Sequence, residues 1–391
     1  MKKLLFLCLL LPFTCNMTPA PTPAQRADGV SGEVSPAKLR SDALALRLFS
    51  DLTCTQQGNI VFSPAGAETL LQMLRNGAAG QTLAEMEKLP ARGGSGQGCA
   101  LQPQTAQALF VTEEGAEPLP QPAAEIHRVP TASALRDINK WVKQQTKGRI
   151  TAALTELPRQ TALVPVSAVY LEERWLNPFG TDKTREEDFT LSNGTRVKVP
   201  MMHKEQALCR YAEGADWQAV ALFYRRDGRE GQPGCLIAVR PKGDARAFAR
   251  SLTPAKWQQL RCALRQDTPL PTDLALPRFS TAPICSDLSP ALQRLGMRTA
   301  FTRTADFSRL ARVRPPYRLY VDKVQQICRV KLNEEGTEAA AVTVAAIPLA
   351  CCATVPPRPM RRIRFDKPFI WAVTDLSTDA APWFMGLTEE P

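Results

Sequence analysis

NIVFSPAGAETLLQMLRNGAAGQTLAEM, residues 59–86, carries three structural signals in one stretch. Ile60-Val61-Phe62 is a short apolar run closed by Ser63-Pro64 and reads as a buried strand. Ser63 can accept a hydrogen bond from the free amides of a first helical turn. Pro64 has no amide to leave unsatisfied there, so a helix is expected over Ala65–Asn76. After Gly80 a further helix is expected over Thr82–Lys88. A buried strand feeding two helices marks a chain in which sheet and helix share one core.

On the N-terminal side, Ser35-Pro36 opens another helix with Leu39, Leu44, Leu46, Leu48 and Phe49 as its apolar positions. Residues 21–35 are rich in Pro, Ala, Thr and Gly and read as a flexible lead. Before them, Lys2 and Lys3 precede an apolar run from Leu4 to Phe13, the pattern of an export signal ending near Ala20. Lipidation at Cys15 is the alternative. Either way the expected location is secreted or extracytoplasmic, periplasmic or lipid-anchored in a bacterium.

On the C-terminal side, residues 91–104 are glycine-rich, and Ala106–Thr112 is a strand candidate. Residues 115–130 hold Pro118, Pro120, Pro122 and Pro130 and show no period. An amphipathic helix follows over Ala132–Thr146, with Leu135, Ile138, Trp141 and Val142 on one face. Strands are expected near 161–171, 196–202, 216–224, 234–241, 274–280, 317–331, 363–374 and 384–387, and a helix near 253–265. Helices early and strands late predict a mixed α/β (α+β) unit over residues 36–391, built on a large sheet.

The formal charge of +11 implies attraction to anionic surfaces or polysaccharide, but the basic residues read as scattered over a solvated surface. No nucleic-acid module is present, so nucleic acid is not an expected partner. The chain has only two histidines, His127 and His203, and no G-x-S-x-G, H-E-x-x-H or phosphate-binding glycine loop. Glu186-Glu187 and Glu334-Glu335 are carboxylate pairs whose neighbours point apart in a strand. No enzyme, cofactor or metal site is expected. The eleven cysteines show no disulfide framework; a Cys54–Cys99 bridge stays open, and most of the others read as small buried apolar residues.

Several stretches together resemble the serpin family of conformationally trapped protease inhibitors. IRFDKPFIWAV (363–373) is similar to the family signature around Asp-Lys-Pro-Phe, with Trp371 bulkier than usual. Residues 59–86 resemble its N-terminal strand and helix pair, and INKWVKQQTKGRI (138–150) the helix crossing the front of its main sheet. VYLEERWLNPF (169–179) resembles the strand carrying a family tryptophan, here Trp175, where that sheet opens. VKVPMMHK (197–204), Leu295-Gly296 and EEGTEAAA (334–341) complete the series in order. The resemblance implies a serpin fold with a large sheet able to accept an exposed loop as an extra strand. It further implies suicide inhibition of a serine protease by a chain acting as a monomer. Two departures stand out. Few residues separate TLAEM from QALFV, where the family places further helices, which puts a heparin site there in doubt. The loop before Phe365 is also longer than usual.

On this resemblance the reactive loop runs over about 334–362, and its hinge is Glu334, Glu335, Gly336, Thr337, Glu338, Ala339, Ala340 and Ala341. Alternation in a strand puts Thr337, Ala339, Ala341, Thr343 and Ala345 on one face, all small and uncharged, with Glu338 on the other. Family spacing places the scissile bond at Ala350-Cys351, bait for an elastase-like protease. Arg358, Arg361 and Arg362 read as loop sites where trypsin-like enzymes would cut unproductively. A non-inhibitory carrier or chaperone, or a cysteine-protease inhibitor, is the alternative reading.

Overall fold

The computed structural model describes residues 36–90, 100–101, 103–111, 116–119, 125–151, 154–157, 163–315, 317–337, 361–378 and 381–391. Along the chain, α1 (Pro36–Thr55), β1 (Ile60–Phe62), α2 (Pro64–Gly77) and α3 (Gly80–Glu87) come first. β2 (Gln104–Val111), β3 (Ala116–Pro118), β4 (Ile126–Arg128), α4 (Ala134–Gln145), β5 (Leu163–Tyr170) and β6 (Glu173–Arg174) follow. A strand-rich middle holds β7 (Thr184–Thr190), β8 (Arg196–Glu213), β9 (Trp217–Phe223) and β10 (Cys235–Pro241). Helices α5 (Ala245–Arg250) and α6 (Pro254–Gln266) precede β11 (Leu270–Pro277), β12 (Phe279–Ser280), β13 (Ile284–Asp287) and α7 (Ser289–Arg294). Then come β14 (Ala311–Val313), β15 (Gln325–Arg329), β16 (Lys331–Leu332), β17 (Gly336–Thr337), β18 (Arg361–Arg364), β19 (Phe369–Thr374) and β20 (Phe384–Thr388).

The opening stretch folds as its sequence implies. Phe62 ends β1, and the Ser63 hydroxyl accepts the Gly66 amide at 3.0 Å to cap α2. β1 pairs with β20 at one edge of a nine-stranded sheet ordered β1-β20-β19-β10-β9-β8-β11-β18, with β7 beside β8. The bulky Trp371 fits there because its cross-strand neighbour is Gly386, whose missing side chain leaves room for the indole. A second sheet is ordered β13-β15-β5-β2-β4, and its strand paths continue at one end into a four-stranded array, β12-β16-β17-β6. Helix α4 packs Ile138, Trp141 and Val142 onto Phe110, Val164, Val166, Ala168 and Ile327, so it lies across β2, β5 and β15. Thus the sheet with most strands is not the sheet whose strands flank the hinge.

Several sequence expectations are corrected. The proline-rich stretch at 115–130 contains β3 and β4, short strands whose pairing partners, β14 and β2, come from elsewhere in the chain. The strand expected over 317–331 begins only at Gln325; before it Val321 makes a single bridge to Leu163. Charged Thr184–Thr190 forms an edge strand beside β8, where one face meets water. Cys54 is a free, exposed thiol, and Cys99 lies outside the described residues. Cys209, Cys235 and Cys328 are buried as expected, whereas Cys285 is exposed. No helix among the described residues is long and apolar enough to cross a membrane.

Candidate functional site

β5 and β15 pair in parallel, Val166–Tyr170 against Gln325–Arg329. Beyond this ladder the two strands part as β6 and β16, and β17 enters between them. Asn333 makes the reversal: its side-chain oxygen accepts the amides of Glu335 and Gly336, both at 3.1 Å. Thr337 then pairs antiparallel with Leu332 on one side and Glu173 on the other, and Gly336 with Arg174. The seam is closed at one end and held open at the other by two hinge residues.

The open end is built around Trp175, which is buried and stacks on Tyr224 with ring centroids 4.7 Å apart. Its indole nitrogen donates to the Asn333 carbonyl at 2.9 Å, and its amide to the Glu335 carbonyl at 2.9 Å. The Phe179 amide donates to the Glu334 carbonyl, and the Glu334 carboxylate accepts the Thr184 hydroxyl at 2.7 Å. Thr337 is buried, with its hydroxyl 2.8 Å from that of Tyr224. Burial pushes the Tyr224 phenol well above its ordinary pKa, so this contact stays neutral. Gly336 is required by proximity: a Cβ there would collide with the Glu173 carbonyl and sit 2.8 Å from the Arg174 Cα.

Below the open end, the back of the seam is crowded and polar. The Gln326 amide bonds both the Ser63 amide (2.8 Å) and the Ser63 carbonyl (2.9 Å). A Cβ at Gly66 would lie 2.9–3.1 Å from Val169, Ser167 and Gln326. Anything entering between Ser167 and Gln326 must therefore be small on that face. The front face is apolar, roofed by α4.

The far end of the loop is anchored by three arginines of β18, which pairs in parallel with β11. Arg361 bonds both Asp267 oxygens at 2.9 Å and lies over the Tyr211 ring; Arg362 bonds Asp273 at 2.9 Å; Arg364 pairs with Glu187. This corrects the sequence reading of Arg361 and Arg362 as loop residues open to trypsin-like attack: both are in a strand and ion-paired. The structure brings Asn333, Glu335 and Thr337 to the Trp175–Tyr224 pair, with Glu334 bonded to Phe179 and Thr184 beside it. Glu338, Ala339, Ala340, Ala341, Ala350 and Cys351 lie outside the described residues, as does Arg358. Sequence reasoning missed Tyr224 and Gln326, which no motif distinguishes, and passed over Glu173, which lies in the quoted stretch 169–179 without a role of its own. Ser63 was legible only as a cap. Among the described residues no cluster of His, Cys, Asp or Glu could hold a metal ion.

The family model described as "Serpin (serine protease inhibitor)" matches residues 40–100 and 123–391. The chain belongs to the serpin family. Its family is thus one of inhibitors and not of enzymes. Mouse Serpin A9 is 30% identical over 66% of this serpin and 59% of its own length, and a guinea pig serine proteinase inhibitor A3K is 31% identical over 66% and 58%. The chain thus matches about three fifths of the length of these relatives. An uncharacterised serpin-like protein of Thermococcus kodakarensis is 29% identical over 92% of this chain and 87% of its own. Among solved structures, the thermophilic serpin tengpin in its native state superposes with a TM-score of 0.77, at 23% identity, over 92% of this chain and 95% of its own. Human thyroxine-binding globulin superposes at 0.76, with 22% identity over 91% and 98%. These two likenesses establish the fold.

Proposed function

We propose that this serpin inhibits an elastase-like serine protease by suicide cleavage and loop insertion, outside the cytoplasm. The observation that carries the reading is the register of Gly336 and Thr337 between β6 and β16. Extended along both neighbours, that register would set residue 344 between Val166 and Gln325, which are now paired directly, and residue 340 between Tyr170 and Arg329. The two extrapolations agree without a slip. Residue 347 would reach Leu163, about 33 Å from Glu173 at roughly 3.3 Å per residue, and Ala350 would pass just beyond it.

Insertion would exchange one parallel ladder for two antiparallel ones, the better-aligned pairing. About ten residues gaining ladder bonds at roughly 1 kcal/mol net each give on the order of 10 kcal/mol. The side chains fit the two faces. Ala341 would stand beside Val169 and Cys328, and Thr343 beside Ser167 and Gln326, where Gly66 leaves little space. Val342 and Val344 would meet the α4 face. In the chemical step, the protease serine attacks the Ala350 carbonyl. The bond to Cys351 breaks, the amine leaves with a proton, and the protease stays as an ester on Ala350. Insertion before hydrolysis would carry that ester the length of the sheet.

Incubation with pancreatic elastase is expected to give an SDS-resistant complex and a released peptide beginning at Cys351. Clean cleavage at that bond with no stable complex, across a panel of serine and cysteine proteases, would overturn the inhibitory reading.

A further inference from the structure

Of the large apolar side chains among the described residues only three are exposed, and two of them, Leu176 and Leu208, line one groove. Phe179, Leu222 and Phe223 add to its apolar walls, and the single charged group in its lining is Lys204. The backbone that presents this lysine is irregular. β8 spends two residues, Glu205 and Gln206, opposite the single Asp273 of β11, and Gln206 takes a left-handed φ of +53°. A bulge of this kind re-aims the side chains beside it. Here it brings Lys204, Ala207 and Leu208 to the same groove.

The Lys204 Nζ donates to the backbone carbonyls of Asn177 and Pro178, at 2.6 and 2.7 Å, and lies 5.6 Å from the centroid of the Phe179 ring. Among the described residues no carboxylate pairs with Lys204, and burial against apolar neighbours pushes its ammonium down to about 8. Lys256 is the contrast: its Nζ lies 4.1 Å from the Phe248 ring centroid but is paired with Asp216 at 2.7 Å. A neutral amine keeps two N–H groups, enough for both carbonyls, so loss of a proton from Lys204 breaks neither bond. The remaining tetrahedral position is then the lone pair. At pH 7 roughly a tenth of such an amine is unprotonated, against less than about one in a thousand for an ordinary lysine. A desolvated amine of this kind is the nucleophile of Schiff-base chemistry.

We propose that Lys204 and its groove form a covalent capture site for small apolar aldehydes. The lone pair attacks the aldehyde carbon, and one nitrogen proton passes to the carbonyl oxygen to give a carbinolamine. As the C=N bond forms, the hydroxyl leaves with the second nitrogen proton as water. Nothing is oxidised or reduced, so no co-reactant is needed. The alkyl or aryl tail would lie against Leu176 and Leu208 and take their apolar surface out of water. A sugar aldehyde would set its hydroxyls against the same walls without partners, which disfavours it. Capture gives up at least one bond to the Asn177 and Pro178 carbonyls. These belong to the turn whose Phe179 amide donates to the Glu334 carbonyl, so the site adjoins the hinge. This assignment does not depend on protease inhibition.

Hexanal is the probe, on the full chain, with cyanoborohydride to reduce the imine to a stable amine and peptide mapping by mass spectrometry to locate it. At pH 7 Lys204 is expected to be alkylated at least about tenfold faster than Lys256 or the exposed Lys183, an advantage that shrinks as pH is raised toward 10. Glycolaldehyde, which is polar, is expected to lower the Lys204-to-Lys256 ratio at least about threefold, and Leu208→Ser to lower hexanal labelling of Lys204 by a similar factor while leaving Lys256 unchanged. Labelling spread evenly over the lysines would overturn the site. A Lys204 preference that is equal for both aldehydes, or untouched by Leu208→Ser, would overturn its assignment to apolar aldehydes.

Discussion

At the scale of single residues, Thr337 and Gly336 decide whether the seam can hold a strand. Thr337 is 1% exposed and spends its hydroxyl on Tyr224, whose own ring is fixed by Trp175. Thr337→Arg places a cation at a buried position beside Glu173, which is already paired with Arg229. Burying it costs several kcal/mol. The variant is expected to be cleaved normally and to trap little protease, read as a rise of about fivefold or more in the stoichiometry of inhibition. An unchanged stoichiometry would show that Thr337 does not stay in the sheet. Gly336 meets two demands at once: its φ of +158° is a conformation that residues with side chains rarely adopt, and a Cβ there would collide with the Glu173 carbonyl.

At the scale of elements, β18 is a short edge strand that carries the end of the loop, and its hold rests on charge as much as on the ladder. Asp267 accepts both the Arg361 guanidinium and the Tyr211 amide, so Asp267→Ala removes several charge-assisted hydrogen bonds at once. A loss of about 2 kcal/mol is expected, with faster hydrogen exchange confined to residues 361–364 and their β11 partners. Protection unchanged there would mean that the β11 ladder alone holds the strand. Helix α3 offers a second test, through pH. Bonds from Thr299 and Arg298 lower the folded-state pKa of Glu85 to about 2, below the ordinary glutamate value near 4.3. Its contribution is complete above roughly pH 5 and is lost as pH falls toward 2. Glu85→Gln should therefore lower the melting temperature by a few degrees at pH 7, with the gap to the parent closing between pH 5 and pH 2. A constant gap across that range would contradict the assigned bonds.

At the scale of the molecule, the parallel β5–β15 ladder stands where two antiparallel ladders could form, and the intact loop is anchored at both ends, at β17 and at β18. On the proposed mechanism, a single cut in the loop would free the hinge side to enter. On the order of 10 kcal/mol of added pairing should raise the melting temperature by at least about 10 °C. Thermal scans before and after limited proteolysis between residues 338 and 360 measure this directly, and cleavage with no rise would favour a non-inhibitory carrier. α4 must yield in the process, because Ile138, Trp141 and Val142 rest on both sides of the seam.

Local chemistry made much of this legible from the residues. The Ser63-Pro64 cap, the apolar face of α4 and the strands β9 and β10 follow from periodicity, capping and alternation, which depend on near neighbours. What the chain alone could not disclose are the features made by residues hundreds of positions apart. β3 and β4 exist because distant partners complete their hydrogen bonds. Arg361 and Arg362 read as loop sites open to unproductive cutting until Asp267 and Asp273 are seen beside them. The tight back of the seam needs Gly66 against Gln326. The sequence by itself determined the elements that near neighbours fix, such as α2, α4, β9 and β10. Only the tertiary structure decided where the sheet stands open, because that opening is a relation between strands and not a property of any one of them.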